Sequence, residues 1–254
     1  MRFQILGSAG CIGSDQKTTS FLIDNDMLID AGTGLGVLPQ EALNGINHVF
    51  LSHAHMDHVA LLPMLLDATL SKRQTPVTVY GIEPTLTALS EHVFNWMIAP
   101  DFRRIPTPEN PVVRFSVIKP GEAAVVDGRR ITAIPVEHSI PAVAYHLDSG
   151  DGSLVVATDM TVSDGLWPAV NAIDNLSYLL IETAFQDARR ELCEISGHLC
   201  PSMLAEELQR LDRPTQVYIT HIKPTARENI EREIAELDTG FNIRFLADGD
   251  VLTF

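Results

Sequence analysis

Basic side chains are scarce in this sequence: 18 Lys and Arg stand against 33 Asp and Glu, a net charge of −15 at pH 7. Polyanion binding rests on Lys and Arg neutralising many phosphates, so this balance argues against nucleic acid as a partner. Cysteine is scarce too. Cys11, Cys193 and Cys200 are odd in number and lack metal-ligand spacing, which argues against a disulfide framework and a structural zinc site and predicts a reduced, cytoplasmic chain. Long apolar runs are missing. The densest, Val59 to Leu66, contains Pro63 and falls far short of the ~20 residues needed to span a bilayer, so no membrane partner is expected. The opening MRFQILGSAG has neither the basic segment nor the long apolar core of a secretion signal and reads as a strand entering a Gly-rich turn.

What is present suits a globular enzyme. The chain has 254 residues, 45% of them hydrophobic, enough for a sizeable core, and is expected to form one α/β domain over residues 1–254. RFQIL, TSFLID, MLIDAG, HVFLSH and VTVYG read as strands, as do VVRFSVI, EAAVV, RRITAIPV, AVAYHL, SLVVAT, YLLIET and QVYITH. Helices are expected over Val59–Leu70, Pro84–Trp96, Trp167–Ile173, Pro201–Leu211 and Arg227–Leu237. The proline-dense stretch Ile98–Asn110 reads as an irregular loop, and NIRFLADGDVLTF as a closing hairpin-like pair. Strands grouped in each half, with helices interspersed, predict two packed sheets with helices outside: a four-layer αββα sandwich.

The strongest local signal is His53-Ala-His55-Met-Asp57-His58, which holds three of the nine histidines. Imidazole and carboxylate are the usual ligands of zinc and similar divalent ions. Alternation at the strand end points His53 and His55 the same way, while Asp57 and His58 lie on the turn into the helix and can address a second ion. His138, Asp159 and His221 follow ITAIPVE, LVVAT and QVYIT, at strand ends where α/β folds build sites. Each alone reads as structural: a buried His bonded to a carbonyl, or a helix cap at Asp159. Together they supply what two ions lack after the first motif. Glu137 and Glu182 could orient imidazoles or be ordinary strand-end charges, and His146 reads as structural.

This set resembles the metallo-β-lactamase superfamily, whose pattern is HxHxDH, then His, then Asp, then His, with an early turn like Leu28–Gly34 here. The resemblance implies that His53, His55 and His138 hold one divalent ion, that Asp57, His58 and His221 hold another, and that Asp159 bridges. Zinc is the first expectation, although His and Asp donors suit Mn and Fe as well. The third motif, VEHS followed by IPAVAYHL, is similar to the RNase Z and class II cyclic-nucleotide phosphodiesterase branch, and so is Ser196-Gly197-His198-Leu199 before Pro201. In that branch a histidine like His198 contacts the phosphate or protonates the leaving group, and a helix N-terminus here would also attract phosphate. RNase Z inserts a long arm between its third His and its bridging Asp, which this chain lacks. Phe94-Asn95-Trp96 with Ala99-Pro100-Asp101-Phe102, and Thr220 to Pro224, resemble segments of the phosphodiesterases. Met56 and Ala60 depart from their usual Leu and Gly.

The resemblance therefore implies a metal-dependent phosphodiesterase converting 3′,5′-cyclic nucleotides to 5′-nucleotides, with a small anionic phosphodiester as its partner. Two ions ~3.5–4 Å apart would activate the attacking hydroxide. Asp57 and His198 are the expected catalytic residues, and His198, Phe94 and Trp96 the expected substrate contacts, with core packing the even alternative for the aromatics. Relatives are commonly dimers, so a homodimer is among the expected assemblies. The competing readings are an RNA-processing or other small-diester hydrolase on the same site, and a non-catalytic binding protein. The acidic surface opposes a nuclease, and the complete ligand set opposes a non-catalytic role.

Overall fold

The computed structural model describes residues 1–13 and 15–254. Among them, the first half carries strands β1 (Arg2–Gly7), β2 (Ser20–Ile23), β3 (Met27–Ile29), β4 (His48–Phe50), β5 (Val77–Gly81), β6 (Val113–Val117) and β7 (Ala123–Val126). The second half carries β8 (Arg129–Val136), β9 (Ala142–Asp148), β10 (Ser153–Ala157), β11 (Leu176–Glu182), β12 (Gln216–Thr220), β13 (Ile243–Phe245) and β14 (Val251–Thr253). They form two sheets, ordered β14-β1-β2-β3-β4-β5-β6 and β13-β12-β11-β10-β9-β8-β7.

Side-chain alternation explains why the sheets stack. In β2 and β3, Phe21, Ile23, Met27 and Ile29 face the space between the sheets. The intervening Leu22 and Leu28 face outward, under helices. In β10 and β11, Leu154, Val156 and Leu180 point inward, and Val155, Leu179 and Ile181 outward. Strands apolar on both faces must be covered on both faces. Helices α1 (Gln40–Gly45), α2 (Met56–Val59), α3 (Leu62–Thr69) and α4 (Glu83–Ala88) belong to the first sheet's outer side, where Leu62, Leu65, Leu66 and Leu86 enter its core. Helices α5 (Leu166–Asn171), α6 (Arg190–Ser196), α7 (Pro201–Leu208) and α8 (Arg227–Ala235) cover the second. Three apolar layers thus separate four structural layers, the expected αββα sandwich. No helix of the described residues is long and apolar enough to cross a membrane.

Several local expectations need correction. The helix expected over Val59–Leu70 starts earlier, at Met56, and breaks at Ala60–Leu61 before resuming at Leu62. Pro63 is the cause: its ring would clash with the carbonyl of Val59, and it settles instead in the first turn of α3. The helix expected to reach Trp96 loosens into a π-turn over Leu89–Val93 and ends before Phe94. There Asn95 Oδ1 accepts the backbone N–H groups of Met97 and Ile98, and Trp96 turns left-handed at φ 68°. The C-terminal segments are not a hairpin. β13 runs parallel to β12 in the second sheet, whereas β14 pairs antiparallel with β1 in the first. Helices α1 and α6 lie outside the expected elements.

Candidate metal centre

The site forms where the chain leaves β3, β4, β8, β10, β11 and β12. β3 and β4 are parallel neighbours, with Ile29 opposite Phe50, so Asp30 and Leu51-Ser52-His53 emerge side by side. Asp30 is fully buried with a left-handed φ of 58°. It accepts the Ser52 N–H and the Ser52 hydroxyl, each at 2.8 Å, and faces His58 Nδ1 at 2.7 Å. With the Ser52 proton given to Asp30, His53 Nδ1–H donates to Ser52 Oγ at 2.9 Å. His138 Nδ1–H donates to the Gly197 carbonyl at 2.7 Å. Engaging Nδ1 in these three rings leaves each Nε2 as the free electron-pair donor.

Ligand-type atoms of His53, His55, His138 and Asp159 all lie within 4.8 Å of one another, and so do those of Asp57, His58 and His221. Asp159 stands between the two groups. Its Oδ2 is 3.7 Å from both His53 Nε2 and His138 Nε2, while its Oδ1 is 3.0 Å from His58 Nε2 and 3.1 Å from His221 Nδ1. Asp57 Oδ2 lies 3.8 Å from the Nε2 atoms of both His58 and His221. Two close approaches need glycine. A Cβ on Gly10 would come within 2.9 Å of His221 Nε2, and one on Gly32 would collide with the Asp57 carbonyl. His221 itself is left-handed, at φ 58°; strain of this kind persists only where the surroundings enforce it.

These residues fit a divalent cation. His53 Nε2, His58 Nε2, His221 Nε2 and Asp159 Oδ1 are buried atoms with no hydrogen-bond partner. His58 Nε2 and Asp159 Oδ1 are close enough to bond yet are misaligned for it. An unsatisfied buried polar atom costs about 1–3 kcal/mol, so four in one place would be a heavy penalty unless a cation joined them. The charge balance agrees. Burial holds His53 and His221 well below the ordinary imidazole value, and His55 and His138 below it, keeping them in the neutral form that ligates. Burial opposes charge on Asp159, but His221, His58 and His53 outweigh it and hold the carboxyl well below its usual range. Burial likewise opposes charge on His58, yet Asp159 and Asp30 raise it well above normal. The surrounding carboxylates favour positive charge here, whether a proton or a metal ion carries it.

His198 stands over this cluster. Its ring is 5.1 Å from that of His138 and 5.3 Å from that of His221, and its Nδ1 meets the buried Glu182 carboxylate at 2.7 Å. Burial works against protonation, but Glu182 outweighs it and raises His198. Glu182 also accepts the N–H groups of Leu199 and Met160, tying the loop between α6 and α7 to the segment that follows β10. In the first turn of α7 the Ser202 N–H is already bonded to Asp187 Oδ1 at 2.9 Å, so that donor is not free for phosphate.

Of the remaining candidates, Glu137 is exposed and held through its backbone, its N–H donating to Ser163 Oγ and its carbonyl accepting the Thr161 N–H. His146 lies within β9, its Nε2 buried without a partner. Phe94 is 1% exposed and packs against Phe102 and Phe115 in the first sheet's outer core, which removes it as a substrate contact. Trp96 is 59% exposed. Asp30 and Ser52 are the residues that sequence reading overlooked as parts of the site; the signal was an acidic residue closing the apolar run MLI just before Ala31-Gly32.

Comparison with known proteins agrees with this architecture. The chain is 25% identical to a 3′,5′-cyclic-nucleotide phosphodiesterase of Aliivibrio fischeri across 98% of this chain and 91% of that protein. It is 36% identical to a ribonuclease Z of Methanococcus maripaludis, but over only 39% of this chain and 31% of that enzyme. The crystal structure of unliganded yeast PDE1 superposes with a TM-score of 0.84 at 18% identity, covering 100% of this chain and 99% of that one. Residues 25–222 match the model of the beta-lactamase superfamily domain. The chain belongs to the beta-lactamase superfamily.

Proposed function

We propose that this chain is a metal-dependent phosphodiester hydrolase whose substrates are 3′,5′-cyclic nucleotides, opened to 5′-nucleotides. The observation that carries the reading is the match along nearly the whole chain to a cyclic-nucleotide phosphodiesterase, whereas the ribonuclease Z match is partial. The charge of −15 supports a substrate with one phosphate charge over a polymer. So does the connection between β9 and β10, which is only the turn Ser149–Gly152, where RNase Z-like proteins carry their arm.

His53, His55 and His138 would hold one divalent ion and Asp57, His58 and His221 a second, with Asp159 shared; zinc is proposed first, with Mn or Fe as alternatives. When bound, such ions supply Lewis acidity at the phosphate and water of lowered pKa. Asp30 and Ser52 hold His53 and His58 in one orientation. Asp57, at the start of α2, would orient the attacking water. Glu182 keeps a proton on His198, which faces the cluster and gives that proton to the departing alkoxide. The substrate is a small anionic diester; the protein acts without a nucleic-acid or membrane partner, in the cytoplasm.

The test is a panel of cAMP, cGMP, a nitrophenyl phosphodiester and pre-tRNA, each with added Zn or Mn. Cyclic-nucleotide hydrolysis with weakly salt-dependent KM is expected. Efficient pre-tRNA cleavage with inert cyclic nucleotides would replace this reading by the nuclease one.

A further inference from the structure

With Phe94 buried in the core, the nucleobase needs another aromatic wall, and a cavity beside His198 offers one. A cavity of ≈ 370 Å³ is lined by Cys11, Ile12, Gly13, Phe185, Lys223, Pro224 and Thr225. That volume lies in the range of small-molecule sites, and the lining follows their pattern: mainly apolar surface with a few polar groups. Ile12 is 66% exposed, a large apolar side chain left facing solvent. The Phe185 ring is only half-buried.

The cavity is tied to the reacting centre on three sides. Phe185 lies 6.0 Å, centroid to centroid, from the ring of His198. Lys223 follows two residues after His221, sits 6.0 Å over the Phe185 ring, and is anchored by its ammonium to the Gly10 carbonyl. Backbone bonds lace the three contributing segments together. Gly10 N–H donates to the Ile222 carbonyl at 3.0 Å, Lys223 N–H to the Ala184 carbonyl at 3.1 Å, and Ala184 N–H to the Leu199 carbonyl at 3.0 Å. The wall therefore stands in place before any ligand arrives, and a preformed site loses less on binding. By contrast another apolar hollow near the first motif, between Pro63, Met64, Ile98 and Phe102, has as its aromatic wall Phe102, whose ring packs on Phe94 in the core, whereas Phe185 packs on His198.

We propose that this cavity receives the nucleobase of the substrate, stacked on Phe185 and enclosed by Ile12 and Pro224, while the phosphate sits at the His/Asp cluster. The inference rests on the cyclic-nucleotide reading and deepens it. Stacking on an aromatic face is tolerant of base identity, because every base has a π-face. Phe185, not Trp96, sets the affinity for nucleotides, and adenine and guanine are treated nearly alike.

The experiment compares wild type, Phe185→Leu, Ile12→Ala and Trp96→Ala on cAMP, cGMP and an abasic 3′,5′-cyclic ribose phosphate, with thermal melts as the folding control. Leucine keeps the apolar volume that Phe185 gives the core, and Ile12 is exposed, so neither variant depends on refolding the site. Phe185→Leu should raise KM for both nucleotides by roughly 5- to 100-fold with kcat little changed, and leave the abasic substrate as in wild type. Ile12→Ala should do the same on a smaller scale. Unchanged KM in both variants, with wild type active on cyclic nucleotides, overturns the pocket alone. A wild type inert on every cyclic nucleotide overturns the proposed function and the pocket with it.

Discussion

β3 and β4 carry a carboxylate and a histidine at both of their ends, and the two ends have opposite fates. At one end Asp26 precedes β3 and His48 opens β4; at the other Asp30 follows β3 and His53 follows β4. Asp26, His48 and Asp127 also bring ligand-type atoms within 4.8 Å of one another. Arg129, however, forks onto Asp26 at 2.6 and 2.9 Å and reaches Asp24 at 3.2 Å and Asp127 at 3.5 Å. That hydrogen-bonded pairing holds Asp26 below the usual carboxylate range and raises Arg129. A single buried nitrogen, His48 Nδ1, stays unpartnered there. At the opposite end four such atoms converge on one place. Ligand-type residues alone do not distinguish a metal site from an ion pair; what distinguishes them is whether the protein supplies the cation.

The largest expected effect is at the end without its own cation. Asp159→Ala removes the carboxylate shared by both groups, and no turnover should be measurable on any diester; wild-type rates would show that the sharing is misassigned. His198→Ala should fold normally and keep its metal, yet lose roughly 10²–10⁴ in kcat on cyclic nucleotides, the range for a general acid. The loss should shrink on a nitrophenyl diester, whose leaving group needs little protonation; an equal loss on both would assign His198 to binding. At the other end, Arg129→Met should cost about 1.5–3 kcal/mol in urea unfolding through lost charged hydrogen bonds, with turnover within about twofold. Because Asp26 is depressed in the folded state, its contribution is present above the ordinary carboxylate value of 3.8 and fades as pH falls through the lower folded value. Wild type should therefore lose its stability advantage over Arg129→Met in that acid window, and an advantage that persisted there would contradict the pairing. The smallest effect is Trp96→Ala, which should move KM on cAMP by less than about twofold, since the residue is largely exposed on its own turn.

Much of this was written locally in the chain. Strand alternation announces two sheets, and the polar residues closing the apolar runs at His53, His138, Asp159 and His221 announce where the site lies. Asp30 was harder to read, because its role depends on β3 and β4 lying side by side, a pairing across 20 residues that no local pattern displays. The C-terminal strands were misread for a related reason. ADGD is a sound turn signal, but β12 and β1, which would otherwise be sheet edges, each offer a longer-range partner. Phe94 and Phe185 show the limit for aromatics. One is buried in a core and the other borders a cavity, and neither fate has a periodicity that sequence could reveal.

Metal content of the protein, measured by mass spectrometry after reconstitution and removal of loosely held ions, tests the central claim most directly. The account predicts about two equivalents of Zn or Mn per chain in wild type and in Arg129→Met, and a clear loss in Asp159→Ala. A metal-free wild type, or an Asp159→Ala protein that keeps both equivalents, would contradict it.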